Sequence, residues 1–130
     1  MSNLTGECLF CNKKKQNIIN STKFIYVVRD SFPVTKYHSL IIPHRHVSNF
    51  FDLNKNELKD LSEILKIERQ SLLNLDKKIS GFNVGVNAGK DAGQSIMHCH
   101  IHLIPRRKGD IENPRGGVRG VIPSKQKYVK

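Results

Sequence analysis

The stretch Met97-His98-Cys99-His100-Ile101-His102-Leu103-Ile104-Pro105 carries the strongest signal in the chain. An imidazole alternates with an apolar residue, and an extended backbone turns its side chains to the same side every second residue. A strand is therefore expected, with His98, His100 and His102 on one face and Cys99, Ile101 and Leu103 turned toward apolar surroundings. On that reading Cys99 is a packed core thiol rather than a nucleophile. Three imidazoles buried side by side without partners would form a costly polar stripe, so the pattern points to a site.

Just upstream, Asn87-Ala88-Gly89-Lys90-Asp91-Ala92-Gly93-Gln94-Ser95 reads as a glycine-rich turn, and Gly81–Val86 before it as a strand. The one long helix is expected from Asn54, whose side chain can cap the backbone while Glu57 reaches back in a capping box. Leu58, Leu61, Leu65, Leu72 and Leu75, with Ile64, recur at helical spacing and define a stripe that packs on a sheet. Nearer the N-terminus, β-branched and aromatic Lys23–Arg29 and the short apolar run Ser39–Ile42, stopped by Pro43, read as strands joined by a loop, Asp30–Tyr37. The expected class is α+β, with strands before and after one long helix.

With 130 residues and 38% hydrophobic content, a single domain over 1–130 is expected. No apolar stretch approaches the roughly 20 residues that span a bilayer. Met1–Glu7 shows no basic region followed by an apolar one, so the expectation is a cytoplasmic protein. Three cysteines cannot all pair, and Cys8-Leu9-Phe10-Cys11 has metal-ligand or redox spacing, which sets a disulfide scaffold aside. The formal net charge is +11, of which +6 falls on a basic tail over 106–130, and it favours an anionic partner. The tail, with Gly116-Gly117 and two prolines, reads as the loosely ordered part.

The histidine alternation resembles the signature of the histidine triad family, His-φ-His-φ-His-φ-φ with φ apolar, over His98–Ile104. The resemblance extends through Gly93-Gln94-Ser95, His38–Pro43 and His46-Val47 back to Cys8–Cys11. The tail motifs Gly109-Asp110 and Pro114–Arg119 resemble a bacterial-type branch of diadenosine polyphosphate hydrolases, the fragile-histidine-like branch. The family resemblance implies a histidine triad fold, with an antiparallel sheet of about five strands, one long helix and a short helix, together with a homodimer and a hydrolase acting on nucleotide phosphoanhydride or phosphoramidate bonds.

Imidazole suits that chemistry because its ordinary pKa of about 6.5 leaves it neutral near pH 7. The resemblance implies that His100 attacks the α-phosphorus to give a nucleotidyl-histidine, which water or another acceptor resolves. His102, about 7 Å along the strand, would bond a phosphate oxygen or assist the leaving group. His38 looks like the family's fourth histidine, and His98, the first of the triad, is counted with His100, His102 and His38 among the catalytic residues. Backbone N–H groups of Gly93, Gln94 and Ser95 are placed to form an anion nest. Asp30 is implied to bind ribose hydroxyls, and Asn87 a phosphate. Zinc-bearing relatives imply a structural Cys2His2 zinc site from Cys8, Cys11, His46 and His98, within an N-terminal segment over 1–15. Whether a divalent cation accompanies the substrate is left open.

Two other classes compete. The histidines could instead hold a catalytic zinc, which would remove His100 as the nucleophile. A basic nucleic-acid-binding module is set aside, because the tail has only Tyr128 as an aromatic and no reading motif. Within the family, phosphoramidates and nucleotidyl transfer use the same intermediate. The lean to dinucleoside polyphosphates rests on the branch resemblance and on Arg106, Arg107, Arg115 and Arg119, expected to meet extra phosphate charge.

Overall fold

Short β-branched runs and one long amphipathic segment give two packed layers. In the computed structural model, which describes residues 8–128, the strands are β1 (Asn20–Ser21), β2 (Ile25–Arg29), β3 (Ser39–Pro43), β4 (Ile79–Val86) and β5 (Ile101–Arg107). Helix α1 (Lys55–Leu75) connects β3 to β4. Every neighbouring pair is antiparallel, in the order β1-β2-β3-β5-β4. The expected α+β class and five-stranded sheet are borne out. The reading of Met1–Glu7 lies outside the described residues. Among those described, no helix is long and apolar enough to cross a membrane.

Strand alternation sorts the core into two faces. Ile25, Val27, Ile41, Cys99, Ile101 and Leu103 join the cluster under α1. Tyr26, Val28, Leu40 and Ile42 point to the opposite face, where Cys8 and Phe10 cover them. Cys99 is 1% exposed, and burial pushes its thiol up to about 11, as a core thiol requires. Because the chain crosses over α1 to the sheet edge before returning, β5 comes to rest between β3 and β4.

Several boundaries differ from the sequence expectation. Strand β5 starts at Ile101 rather than Met97, since the Cys99 N–H donates to the Val47 carbonyl (2.7 Å) before sheet pairing begins. No short α-helix is found among the described residues. Its place is taken by single 3-10 turns such as Phe50–Asp52. On α1 the buried seam is Glu57, Leu61, Ile64, Glu68 and Leu72, whereas Leu58 and Leu75 are 42% and 57% exposed. Two carboxylates occupy the seam because each has partners there. Arg45 donates to Glu57 through Nη2 (2.8 Å) and Nε (3.1 Å), and Asn20 Nδ2 donates to Glu68 (3.1 Å). The described part of the tail, 106–128, is also folded. Gly117–Val121 and Pro123–Lys125 form 3-10 turns, and Arg119 donates to the carbonyls of Lys125 (2.9 Å) and Gln126 (3.2 Å). Gly116 sits at φ 93°, and a Cβ there would run into the Gln126 carbonyl oxygen.

The helix start matches the expected capping box, with Glu57 N–H donating to Asn54 Oδ1 and Asn54 N–H to Glu57 Oε1, both at 2.9 Å. Burial alone would raise the Glu57 carboxyl, but the bonds from Arg45 and Asn54 hold it below the usual carboxylate range. A depressed folded pKa gives stability that is complete above the unfolded value and is lost as pH falls through the folded value. Replacing Glu57 by Gln should cost about 1–3 kcal/mol at pH 7, measured by urea unfolding, and less as the pH drops below about 4. An equal cost at both pH values would remove the ion pair from the account.

Candidate active site and metal cluster

Strand pairing brings the histidines together. Leu40 faces His102 across β3 and β5, which sets His38, just before β3, diagonal to it. His38 Nε2 lies 2.9 Å from His102 Nδ1, and the His100 and His102 ring centroids are 5.4 Å apart. These three rings, with Asp30, Asn87 and Ser95, line a cavity of about 510 Å3.

Backbone partners assign the ring protons. The Val34 N–H can only donate, so His38 Nδ1 accepts from it (3.0 Å) and the His38 proton sits on Nε2. That proton is donated to His102 Nδ1, so the neutral His102 ring carries its own proton on Nε2, with no partner among the described residues. In His100, Nδ1–H donates to the His98 carbonyl (2.8 Å), leaving the Nε2 lone pair free. Burial lowers His38 below the ordinary imidazole value, with Asp30 Oδ2 3.4 Å away pulling the other way. Burial, reinforced by His100 and His38, lowers His102 as well. Both rings are therefore neutral at pH 7.

Contrary to its expected catalytic role, His98 is fully buried and does not line the cavity, because its ring turns to the cysteines instead. Its Nε2–H donates to the Pro43 carbonyl (2.8 Å), so Nδ1 is a lone pair, 3.4 Å from Cys8 Sγ and 3.5 Å from Cys11 Sγ. His46 Nδ1 lies 3.1 Å from Cys11 Sγ, and the four ligand atoms all fall within 4.8 Å of one another. A tetrahedral zinc with bonds of about 2.3 Å to sulfur and 2.0 Å to nitrogen sets sulfur to nitrogen edges of about 3.5 Å. The donor set fits zinc. Burial takes His98 down to about 4, which keeps it an unprotonated ligand. Burial and the adjacent Cys8 push the Cys11 thiol up to about 11, a cost that a bound cation reverses.

Asp30, His38 and His102 form a second cluster with metal-ligand spacing. Its tautomers oppose a metal, because His38 Nε2 would have to give up its proton while Nδ1 still accepts from Val34 N–H. The catalytic zinc expected on the triad histidines finds no support either, because among the described residues His98 groups with Cys8, Cys11 and His46, His102 with Asp30 and His38, and His100 with neither.

Other expected residues are placed less simply. Asp30 Oδ1 accepts from the Phe32 N–H (2.8 Å), which leaves Oδ2 toward the cavity residue His38. In the glycine turn, Gly93 N–H donates to Lys90 O and Gln94 N–H to Gly89 O, so the expected three-donor nest is reduced to Ser95. The Gln94 side chain is given over to the turn: Oε1 accepts from Gly89 N–H and Nε2 donates to the carbonyls of Ser48 and Ile96. The four arginines expected at the phosphates are elsewhere. Arg106 is paired with Asp110 and Arg107 with Asp76, while Arg115 and Arg119 stack on Tyr128. Two contributors escaped the sequence reading. The Phe10 ring packs on His98 and His100 at centroid distances of 6.0 and 5.1 Å, and the Val34 N–H fixes His38. Position between two candidate zinc ligands was the one clue to Phe10.

Comparison with known proteins agrees with this geometry. The nitrilase and fragile histidine triad fusion protein NitFhit of Caenorhabditis elegans is 37% identical over 112 residues, covering 85% of this chain and 25% of that protein. The asymmetrical bis(5'-nucleosyl)-tetraphosphatase of Schizosaccharomyces pombe is 39% identical over 80 residues, covering 61% of this chain and 43% of that protein. The chain thus spans a quarter and less than half of their respective lengths. Among solved structures, a zinc-bound histidine triad family protein from Mycobacterium smegmatis superposes with a TM-score of 0.75 at 25% identity, over 84% of this chain and 81% of that one. The HIT domain pattern matches residues 12–109, and on this evidence the chain belongs to the histidine triad (HIT) domain family.

Proposed function

We propose that the chain is a nucleotide hydrolase that cleaves dinucleoside polyphosphates at an α-phosphate through a nucleotidyl-histidine on His100. The observation that carries this reading is the bond from His100 Nδ1–H to the His98 carbonyl, which leaves the opposite nitrogen free to attack. Nε2 forms a bond to the α-phosphorus as the bond to the leaving phosphate oxygen breaks. His102 Nε2–H, oriented from behind by His38, is the donor for the developing oxyanion or leaving oxygen. Water then displaces His100 and releases the nucleoside monophosphate. Asp30 Oδ2 serves the ribose hydroxyls, and Asn87 and Ser95 the phosphate.

Cys8, Cys11, His46 and His98 would hold a structural zinc, which supplies no chemistry to the reaction. Its part is to fix the segment whose carbonyl orients His100. The proposal includes a homodimer joined through β4 and α1. A cytoplasmic location accords with three free cysteines.

Phosphoramidate hydrolysis remains as a second reading, because none of the four tail arginines lines the cavity. Steady-state turnover of diadenosine tri- and tetraphosphate against adenosine 5'-phosphoramidate separates them. The dinucleotides should show kcat/KM at least about tenfold higher, a gap of roughly 1.4 kcal/mol in transition-state binding. The reverse order would transfer the assignment to phosphoramidates.

A further inference from the structure

We infer that Lys15 is a specificity-determining residue whose ammonium meets the phosphate chain beyond the α-phosphate. This rests on the nucleotide reading of the cavity and extends it to a residue outside the histidine motif. Lys15 lines the same cavity as His100 and His102, from the wall built by the N-terminal segment. It makes no ion pair with any described residue.

The other cation on the cavity wall is committed. Arg29 Nη1 donates to Ser39 Oγ (2.6 Å), lies 3.7 Å from Glu68 and has its guanidinium 5.6 Å from the Tyr37 ring centre. With the tail arginines paired or stacked elsewhere, Lys15 is the uncommitted cation of the cavity among the described residues. Charge arithmetic then assigns its role. A phosphoramidate or monophosphate presents one phosphate, which His100, His102 and Ser95 already address. Each further phosphate adds negative charge outside the histidine cluster, where these residues supply no cation.

The backbone beneath Lys15 is held rather than left to drift. Lys13–Lys15 form a 3-10 turn immediately after the Cys8–Cys11 loop. Asn12 N–H donates to Cys8 O (3.2 Å), Lys13 N–H to Cys11 O (3.1 Å) and Lys15 N–H to Asn12 O (3.1 Å). The Gln16 side chain closes the loop by donating to Leu9 O (3.1 Å). The loop that carries two proposed zinc ligands thus also forms a wall of the substrate cavity, so the lysine starts from a fixed position and less entropy is lost on binding. Being solvent-exposed, its contribution is modest and falls with ionic strength.

Equilibrium binding tests this without requiring turnover. The zinc-loaded full chain, Lys15→Gln and Lys15→Arg are titrated with α,β-methylene-ATP and with AMP by calorimetry, after metal content confirms an unaltered Cys8–Cys11 loop. At low salt, Lys15→Gln should weaken α,β-methylene-ATP by about fivefold to tenfold and AMP by less than about twofold. Lys15→Arg should restore most of the loss, and the gap should narrow at roughly 300 mM salt. Equal weakening of both ligands, or of neither, overturns the assignment, as does a native chain that binds the two equally. Turnover of diadenosine tetraphosphate by the native chain is measured alongside. Its absence would discard the polyphosphate hydrolase reading, while the binding ratio still decides the role of Lys15.

Discussion

Replacing His100 by Ala should lower turnover of diadenosine tetraphosphate by about four orders of magnitude, with the circular dichroism spectrum and melting temperature close to those of the native chain. The size follows from its place in the reaction. The remaining groups can still bind and polarise the phosphate, but no other nitrogen in the cavity has a free lone pair held toward it. His38 uses both ring nitrogens on neighbours, and His102 presents a proton rather than a lone pair. The fold tolerates the change because the ring faces the cavity and the core runs through Cys99 and Ile101 on the other side. Residual turnover within about tenfold of native would take His100 out of the nucleophile's role.

The second large effect is expected at the other end of the same segment. Changing Cys8 and Cys11 together to Ser should abolish binding of one zinc per chain, cost about 3 kcal/mol and lower the melting temperature by roughly 10 °C. Structural zinc draws on protein ligands that otherwise bear a burial cost, and here the proposed ligands join the N-terminal loop to the segment entering β5. Turnover should fall as well, since the carbonyl that orients His100 belongs to His98, itself a proposed ligand. Elemental analysis and thermal melts check the two parts separately. A variant that melts like the native chain, or a native chain with far less than one zinc, would contradict the structural-metal account.

Much of this architecture is local in origin and so visible in the sequence. The Asn54 and Glu57 capping box needs only four consecutive residues, and the helix begins where that pattern places it. The histidine alternation likewise puts Cys99, Ile101 and Leu103 in the core under α1, with His100 and His102 lining the cavity. What sequence could not supply was long-range partnership. Leu58 and Leu75 look apolar enough for the buried seam, but Glu57 and Glu68 take it because Arg45 and Asn20 reach them from distant segments. The arginines of the tail look like phosphate ligands until Asp76, Asp110 and Tyr128 are seen to occupy them. The proton positions that separate nucleophile from donor depend on Val34 N–H and the carbonyls of Pro43 and His98. Residue identity is silent about backbone groups, so no motif encodes them.

The central claim is that His100 bonds covalently to phosphorus, and the stereochemical course at that atom tests it most directly. Hydrolysis of a diadenosine polyphosphate made chiral by sulfur at the α-phosphorus, run in oxygen-18 water, reports the number of in-line displacements. Two displacements, through the histidine and then water, predict overall retention of configuration. Inversion would mean that water attacks directly, and would contradict the nucleotidyl-histidine.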